Sequence, residues 1–185
     1  MKNIAILASG SGTNAEEIIK YFQNSSKGKV VLVASNKKEA FVLERAKKFH
    51  VPSFTFNKEA LESGELVQRL KDDKVDFVVL AGFLLKIPDN LIKAFPDRII
   101  NIHPALLPKY GGKGMYGAKV HEAVKEAGDQ ESGITIHLVN ENYDEGKIIF
   151  QAGVPISPKD SPDTIAQKVH HLEYKYFPNV IESLL

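Results

Sequence analysis

Four short apolar runs, NIAILA at 3–8, KVVLVA at 29–34, VPSFTF at 51–56 and DFVVLA at 76–81, are separated by segments of helical periodicity. The last of these runs is unbroken after Asp76, as a strand is when helices cover both faces of its sheet. The intervening segments are AEEIIKYFQ at 15–23, residues 39–49 with Val42, Ala46 and Phe49 at i, i+4, i+7 spacing, and 58–72, read as one helix that is weakest around Gly64. Such alternation predicts an α/β fold, a Rossmann-like, mostly parallel sheet flanked by helices. In that architecture ligands collect outside the carboxyl ends of the strands, so the loops after the strands are where chemistry is sought.

Beyond residue 130 the pattern changes. GITIHLV at 133–139 and GKIIFQAGVPI at 146–156 alternate and are rich in β-branched residues, which predicts a C-terminal β-hairpin. Ser161-Pro162-Asp163 is the start signal of a final helix, expected to run to about Tyr176. The break reads as a change of topology, and 185 residues suit one domain spanning 1–185. With 24 Lys+Arg against 23 Asp+Glu, no global field recruits nucleic acid or an anionic membrane. The absence of cysteine excludes disulfides and thiolate metal sites. His121, His137, His170 and His171 lack ligand spacing, so no metal is expected, and His121 reads as a polar-face residue of a helix over 118–127. The N-terminal apolar run is too short for a signal-peptide core or a membrane span, making the cytoplasm the expected compartment.

Three strand-end loops carry candidate chemistry. Ser9-Gly10-Ser11-Gly12-Thr13-Asn14 lies between a strand and a helix, where backbone N–H groups can hold a phosphate against the positive end of the helix dipole and Thr13 or Asn14 can cap. A tight, well-capped turn fits the same residues. Gly10 to Ala15 also matches G-x-G-x-x-A, but the second strand ends in Ser35-Asn36-Lys37-Lys38 without the acidic residue an NAD site wants. The two lysines would suit the extra phosphate of NADP, or a solvated loop. Gly82 to Pro88 is apolar for a loop and forms either the wall of a slot for a flat ring system or a segment buried under the helix 89–94, capped by Asp89 or Asn90. Asn101-Ile102-His103-Pro104 puts an amide and an imidazole on one side of a fifth strand, with Pro104 and Pro108 stiffening the turn after the strand. Asp144, in the hairpin connection, is a turn residue or a carboxylate reaching His103. Lys113, in the glycine-rich segment 110–117, attracts an anionic substrate or is simply solvated.

Taken together, SGSGTN at 9–14, VVLAGF at 78–83, NIHPALLPKYGG at 101–112 and Asp144 in YDEGKIIFQ resemble the folate-dependent glycinamide ribonucleotide formyltransferases, collinearly over nearly the whole chain. The resemblance implies a formyltransferase fold and transfer of a formyl group from 10-formyltetrahydrofolate to the glycine amine of the ribonucleotide in purine synthesis. It places Asn101, His103 and Asp144 on the catalytic trio, with Asn101 and a protonated His103 at the formyl oxygen. Ser11, Gly12, Thr13 and Asn14 fall on the substrate-phosphate site and Glu173 on the ribose site; position 170 is a histidine, His170, so a basic substrate contact there would be pH-dependent. Leu84, Leu85, Ile87, Val139, Asn140 and Asn101 fall on the folate pocket, and a cis Leu107-Pro108 bond is implied. The family's usual basic residue before the helix preceding VVLAGF is missing from Glu62-Ser63-Gly64-Glu65, so Lys58 or Arg69 substitutes or the loop alone holds the phosphate. Relatives acting on methionyl-tRNA or releasing formate carry further domains, for which the chain has no room. The expected partners are small molecules, and the expected state is a monomer or weak homodimer.

Overall fold

The computed structural model describes residues 1–185. In chain order the elements are β1 (Lys2–Leu7), α1 (Thr13–Phe22), β2 (Gly28–Ser35), α2 (Val42–Lys48), β3 (Ser53–Thr55), α3 (Lys58–Ser63), α4 (Glu65–Asp72), β4 (Phe77–Leu80), α5 (Asp89–Ala94), β5 (Ile99–His103), α6 (Ala118–Ala127), β6 (Glu131–Leu138), β7 (Ile148–Pro155) and α7 (Pro162–Ser183). They build one seven-stranded sheet in the order β3-β2-β1-β4-β5-β6-β7. β1 to β5 pair in parallel, while β6 and β7 close the sheet antiparallel. The chain leaves β1 outward to β2 and β3, then returns to β4 on the other side. The loops after β1 and β4 therefore diverge and open a crevice at the carboxyl edge.

Alternation along the central strands feeds a core on each face. Ile4, Ile6, Val79, Ile100 and Ile102 pack with Ile18, Val42, Val124 and Phe177 of the helices on one side. Ala5, Leu7, Val78, Leu80 and Ile99 pack with Leu61, Leu66, Leu70 and Leu91 on the other. Each fully buried aliphatic side chain contributes about 1.5–3 kcal/mol relative to exposure.

Several local expectations are corrected. α1 is not capped by Thr13 or Asn14, because Gly12, at φ 75, occupies the cap without any side-chain bond. Asp89 and Asn90 do not cap α5, where Pro88 stands at the cap and the Asn90 amide instead donates to the Glu62 carbonyl at 2.9 Å. The segment 58–72 is two helices, broken at Gly64 with φ 90. α7 continues past Tyr176 to Ser183 through Pro178. A proline inside a helix costs about 3 kcal/mol, but Phe177, Pro178, Val180 and Ile181 are all buried there, and that apolar face outweighs the lost hydrogen bond.

Candidate active site

A cavity of about 870 Å³ occupies the crevice. One wall is polar and comes from the loop before α1 and from α6 and α7, with Asn14, His121, His170 and Glu173 facing the space. The opposite wall, Phe83 to Ile87 with Val139, rests on the second core. Leu84, Leu85, Ile87 and Asn140 all line it. Between the walls lie Asn101, His103, His137 and Asp144.

Strand pairing explains the meeting of these groups. Asn101 stands directly opposite His137 in the β5–β6 ladder, and the Asn101 Nδ2 lies 3.2 Å from His137 Nε2. His137 Nδ1 is 2.9 Å from the Leu138 carbonyl, which only accepts, so the proton sits on Nδ1 and Nε2 takes a hydrogen from the Asn101 amide. That leaves Asn101 one N–H directed at the cavity. Two residues along, His103 Nε2 lies 2.6 Å from the Tyr110 carbonyl and must be its protonated nitrogen. Nδ1, the edge where protons come and go, faces Asp144 Oδ2 at 3.6 Å. Tyr110 takes a left-handed φ of 57 to present that carbonyl, and its hydroxyl is tied to Asp129 at 2.7 Å. Thr135 holds the intervening turn, donating to the Ala105 carbonyl at 2.7 Å and accepting from Leu107 N–H at 3.0 Å. The Leu107-Pro108 bond in that turn is cis.

Asp144 also has a left-handed φ, 55, and its Oδ2 accepts the Gly112 N–H at 3.0 Å while Oδ1 lies 3.6 Å from His137 Nε2. Burial raises its carboxyl pKa, but His137, His103 and the Gly112 N–H together outweigh burial and hold it below the usual carboxylate value. Asp144 is therefore ionised. His103 departs from the expected charged state: it is 4% exposed, and burial lowers its pKa more than Asp144 and the Tyr110 carbonyl raise it, with His137 adding to the lowering. The free protein at neutral pH holds a neutral His103 beside an anionic Asp144.

Asn14 lies within the first turn of α1, and its Nδ2 donates to Glu173 Oε2 at 2.8 Å. Burial pushes the Glu173 carboxyl up to about 7. The His170 imidazole faces His121, ring centroids 6.4 Å apart, and burial keeps His170 below its usual pKa. His121 is not on a polar face. It is buried against α7, and burial, then His170 and His103, lower its pKa to about 4.

Neither proposed basic substitute reaches the cavity. Lys58 pairs with Glu62, and Arg69 pairs with Asp73 and lies over the Phe54 ring. Lys37 lines the cavity but Lys38 lines a separate groove beside β3, so the two do not form one phosphate clamp. No group of three or more His, Cys, Asp or Glu side chains is arranged to hold a metal ion, and no helix is long and apolar enough to cross a membrane. His137 is the member of the site that the motifs do not reveal, although Thr135 and His137 are two polar residues at period two inside an apolar strand.

The family model described as formyl transferase matches residues 2–181. The phosphoribosylglycinamide formyltransferase of Bacillus subtilis is 39% identical over 192 residues, covering 100% of this chain and 95% of that protein. The chloroplastic phosphoribosylglycinamide formyltransferase of Arabidopsis thaliana is 44% identical over 190 residues, and there the chain covers 65% of the relative's length and 99% of its own. The crystal structure of phosphoribosylglycinamide formyltransferase from Bacillus halodurans superposes with a TM-score of 0.89 at 37% identity, covering 100% of this chain and 95% of that one. This chain belongs to the formyl transferase family.

Proposed function

We propose that the chain transfers the formyl group of 10-formyltetrahydrofolate to the glycine amine of 5-phosphoribosylglycinamide, a step of de novo purine biosynthesis. The observation that carries the reading is the convergence of Asn101, His103 and Asp144 between a polar wall suited to a sugar phosphate and an apolar wall suited to a pterin ring. Family membership and the names of the relatives support the same choice of substrates. Leu84, Leu85, Ile87, Val139 and Asn140 would hold the folate. The N–H groups of the 11–14 loop would hold the phosphate, and Glu173 and His170 the sugar.

The chemistry follows from the charge states. The amine nitrogen attacks the formyl carbon, a C–N bond forms, and the carbonyl π pair moves onto oxygen. The free Asn101 N–H donates to that oxygen. The proton the amine loses passes through a water held by Asp144 to His103 Nδ1, where the growing negative charge on oxygen and ionised Asp144 favour the imidazolium, whose Nδ1–H then donates to that oxygen. The oxygen's electron pair then re-forms the carbonyl, the C–N bond to folate breaks, and the imidazolium's proton returns through the water to the leaving folate nitrogen. Binding both substrates in one crevice makes the attack effectively unimolecular.

The test measures turnover with phosphoribosylglycinamide, free glycinamide and water as acceptors, for the parent and for Asn101→Ala, His103→Ala and Asp144→Ala. Transfer is expected to the ribonucleotide alone, with each substitution lowering kcat by about 10²–10³-fold. Turnover within a few-fold of the parent in all three variants would remove these residues from the mechanism.

A further inference from the structure

We propose that Arg45, which does not line the cavity, is a positioning residue for the acceptor's phosphate and acts by aiming the N–H groups of the 11–14 loop. The inference rests on the functional reading above and concerns how its phosphate site is built.

A peptide group is planar, so the C=O of one residue and the N–H of the next point in opposite directions. α2 engages two successive carbonyls of the loop. Gly10 C=O accepts the Val42 N–H at 3.1 Å, and Ser11 C=O accepts the Arg45 Nε–H at 2.7 Å. The N–H groups of Ser11 and Gly12 are thereby turned away from α2, on residues that line the cavity. Neither donates to an acceptor within the chain, and neither do the N–H groups of Thr13 and Asn14 that follow at the start of α1. Four consecutive donors beside the positive end of a helix are what an anionic phosphate oxygen cluster requires.

Arg45 is itself immobilised on three sides. Its Nη1 pairs with Glu16 of α1, its Nη2 lies 3.3 Å from Ser11 Oγ, and its guanidinium lies over the Phe41 ring at 5.0 Å. The Arg45 bond, followed by that of Lys20, pulls the Glu16 carboxyl down to about 2, so the guanidinium charge is matched by a carboxylate. Arg45 thus offers geometry rather than net charge to the phosphate. A lysine in its place would keep the ion pair with Glu16 but could not bond the Ser11 carbonyl and hydroxyl together.

The test compares Arg45→Gln and Arg45→Lys with the parent on phosphoribosylglycinamide and on the dephosphorylated glycinamide riboside. Calorimetric titration of the full chain with inorganic phosphate runs alongside. Arg45→Gln is expected to raise KM for the phosphorylated acceptor about tenfold, with kcat and the folate KM within about twofold, from loss of charge-assisted bonds to the loop. Its kcat/KM on the riboside is expected to stay within about twofold, and its Kd for phosphate to weaken about tenfold. Arg45→Lys should fall between parent and Arg45→Gln, and it decides the matter if the glutamine variant does not fold. Equal losses on both acceptors, or unchanged phosphate affinity in the lysine variant together with unchanged KM, would overturn the inference. A parent that bound phosphate but transferred no formyl group would overturn the functional reading, while the phosphate titrations would still decide the role of Arg45.

Discussion

Glu173 combines 5% exposure with a single hydrogen bond, from Asn14, and burial drives its carboxyl from 4.5 up to about 7 against that bond. A carboxyl whose pKa is raised on folding favours the folded state while it is protonated. Its contribution is complete below the unfolded value of 4.5 and is lost as pH rises through about 7. The window corresponds to a loss of at most about 3 kcal/mol. Glu173→Gln keeps an acceptor for Asn14 and cannot ionise, so it should match the parent in thermal stability at low pH and exceed it above pH 7. Melting curves at both ends of the range check this, and an equal difference at both would show that Glu173 is not the titrating group. His103 makes the complementary case in catalysis. Its proposed resting form is neutral with a pKa below the ordinary histidine value of 6.5, so activity should fall only as pH drops below that value. Because Asp144 raises the His103 pKa, Asp144→Asn should move the acid limb of the residual kcat/KM profile to still lower pH. An acid limb that stayed in place, or moved upward, would uncouple the two residues.

At the scale of elements, the join between α1 and α2 concentrates backbone constraint in Gly12. It has φ +75, and a Cβ built there would overlap the Val42 side chain and come within 2.8 Å of the Val42 Cα. Left-handed backbone costs a side-chain-bearing residue about 1–2 kcal/mol and overpacking about 1–3 more. Gly12→Ala should therefore destabilise by about 2–5 kcal/mol in urea unfolding. Gly10→Ala, with nothing within 4 Å of the added carbon, should cost much less. Comparable losses at the two glycines would mean that the contact with Val42 is not what fixes the loop. The same join shows where sequence reading stops. The strand, glycine turn and helix are all legible from residues 3 to 23, because period and turn chemistry are local. The donation from Arg45 to Ser11 spans 34 residues and depends on how α2 packs, which no local pattern carries. His137 escapes a sequence reading for a similar reason, since its partnership with Asn101 is a property of the β5–β6 register. The polar-face expectation for His121 fails because a histidine at such a position of α6 faces solvent only if no helix covers that face, and α7 covers it.

For the molecule as a whole, two cores share one sheet. The fold class is readable from alternation alone, yet the strand order, with β1 and β4 adjacent and the crevice between their loops, emerges only from packing. Adjacent residues of the same strand serve opposite faces. Ile4 and Ile6 join the larger cluster of 25 buried residues, while Ala5 and Leu7 join the smaller one of 16. Val79 and Ile100 divide from Val78 and Ile99 in the same way. Neither cluster can be completed without β1, β4 and β5, which carry six residues of the larger cluster and five of the smaller. Unfolding should accordingly be a single transition, wherever the damage is introduced. Phe177→Ala empties the larger core at α7 and should cost about 3–5 kcal/mol, and Leu70→Ala empties the smaller core at α4 for about 2–5 kcal/mol. Far-ultraviolet dichroism and near-ultraviolet tyrosine signals should lose structure together in both variants, at lower urea than the parent. If Leu70→Ala instead released α3 to α5 in a first step and left the α1, α6 and α7 face folded, the two faces would be separate cooperative units. The crevice that spans them would then owe its shape to docking rather than to the shared strands.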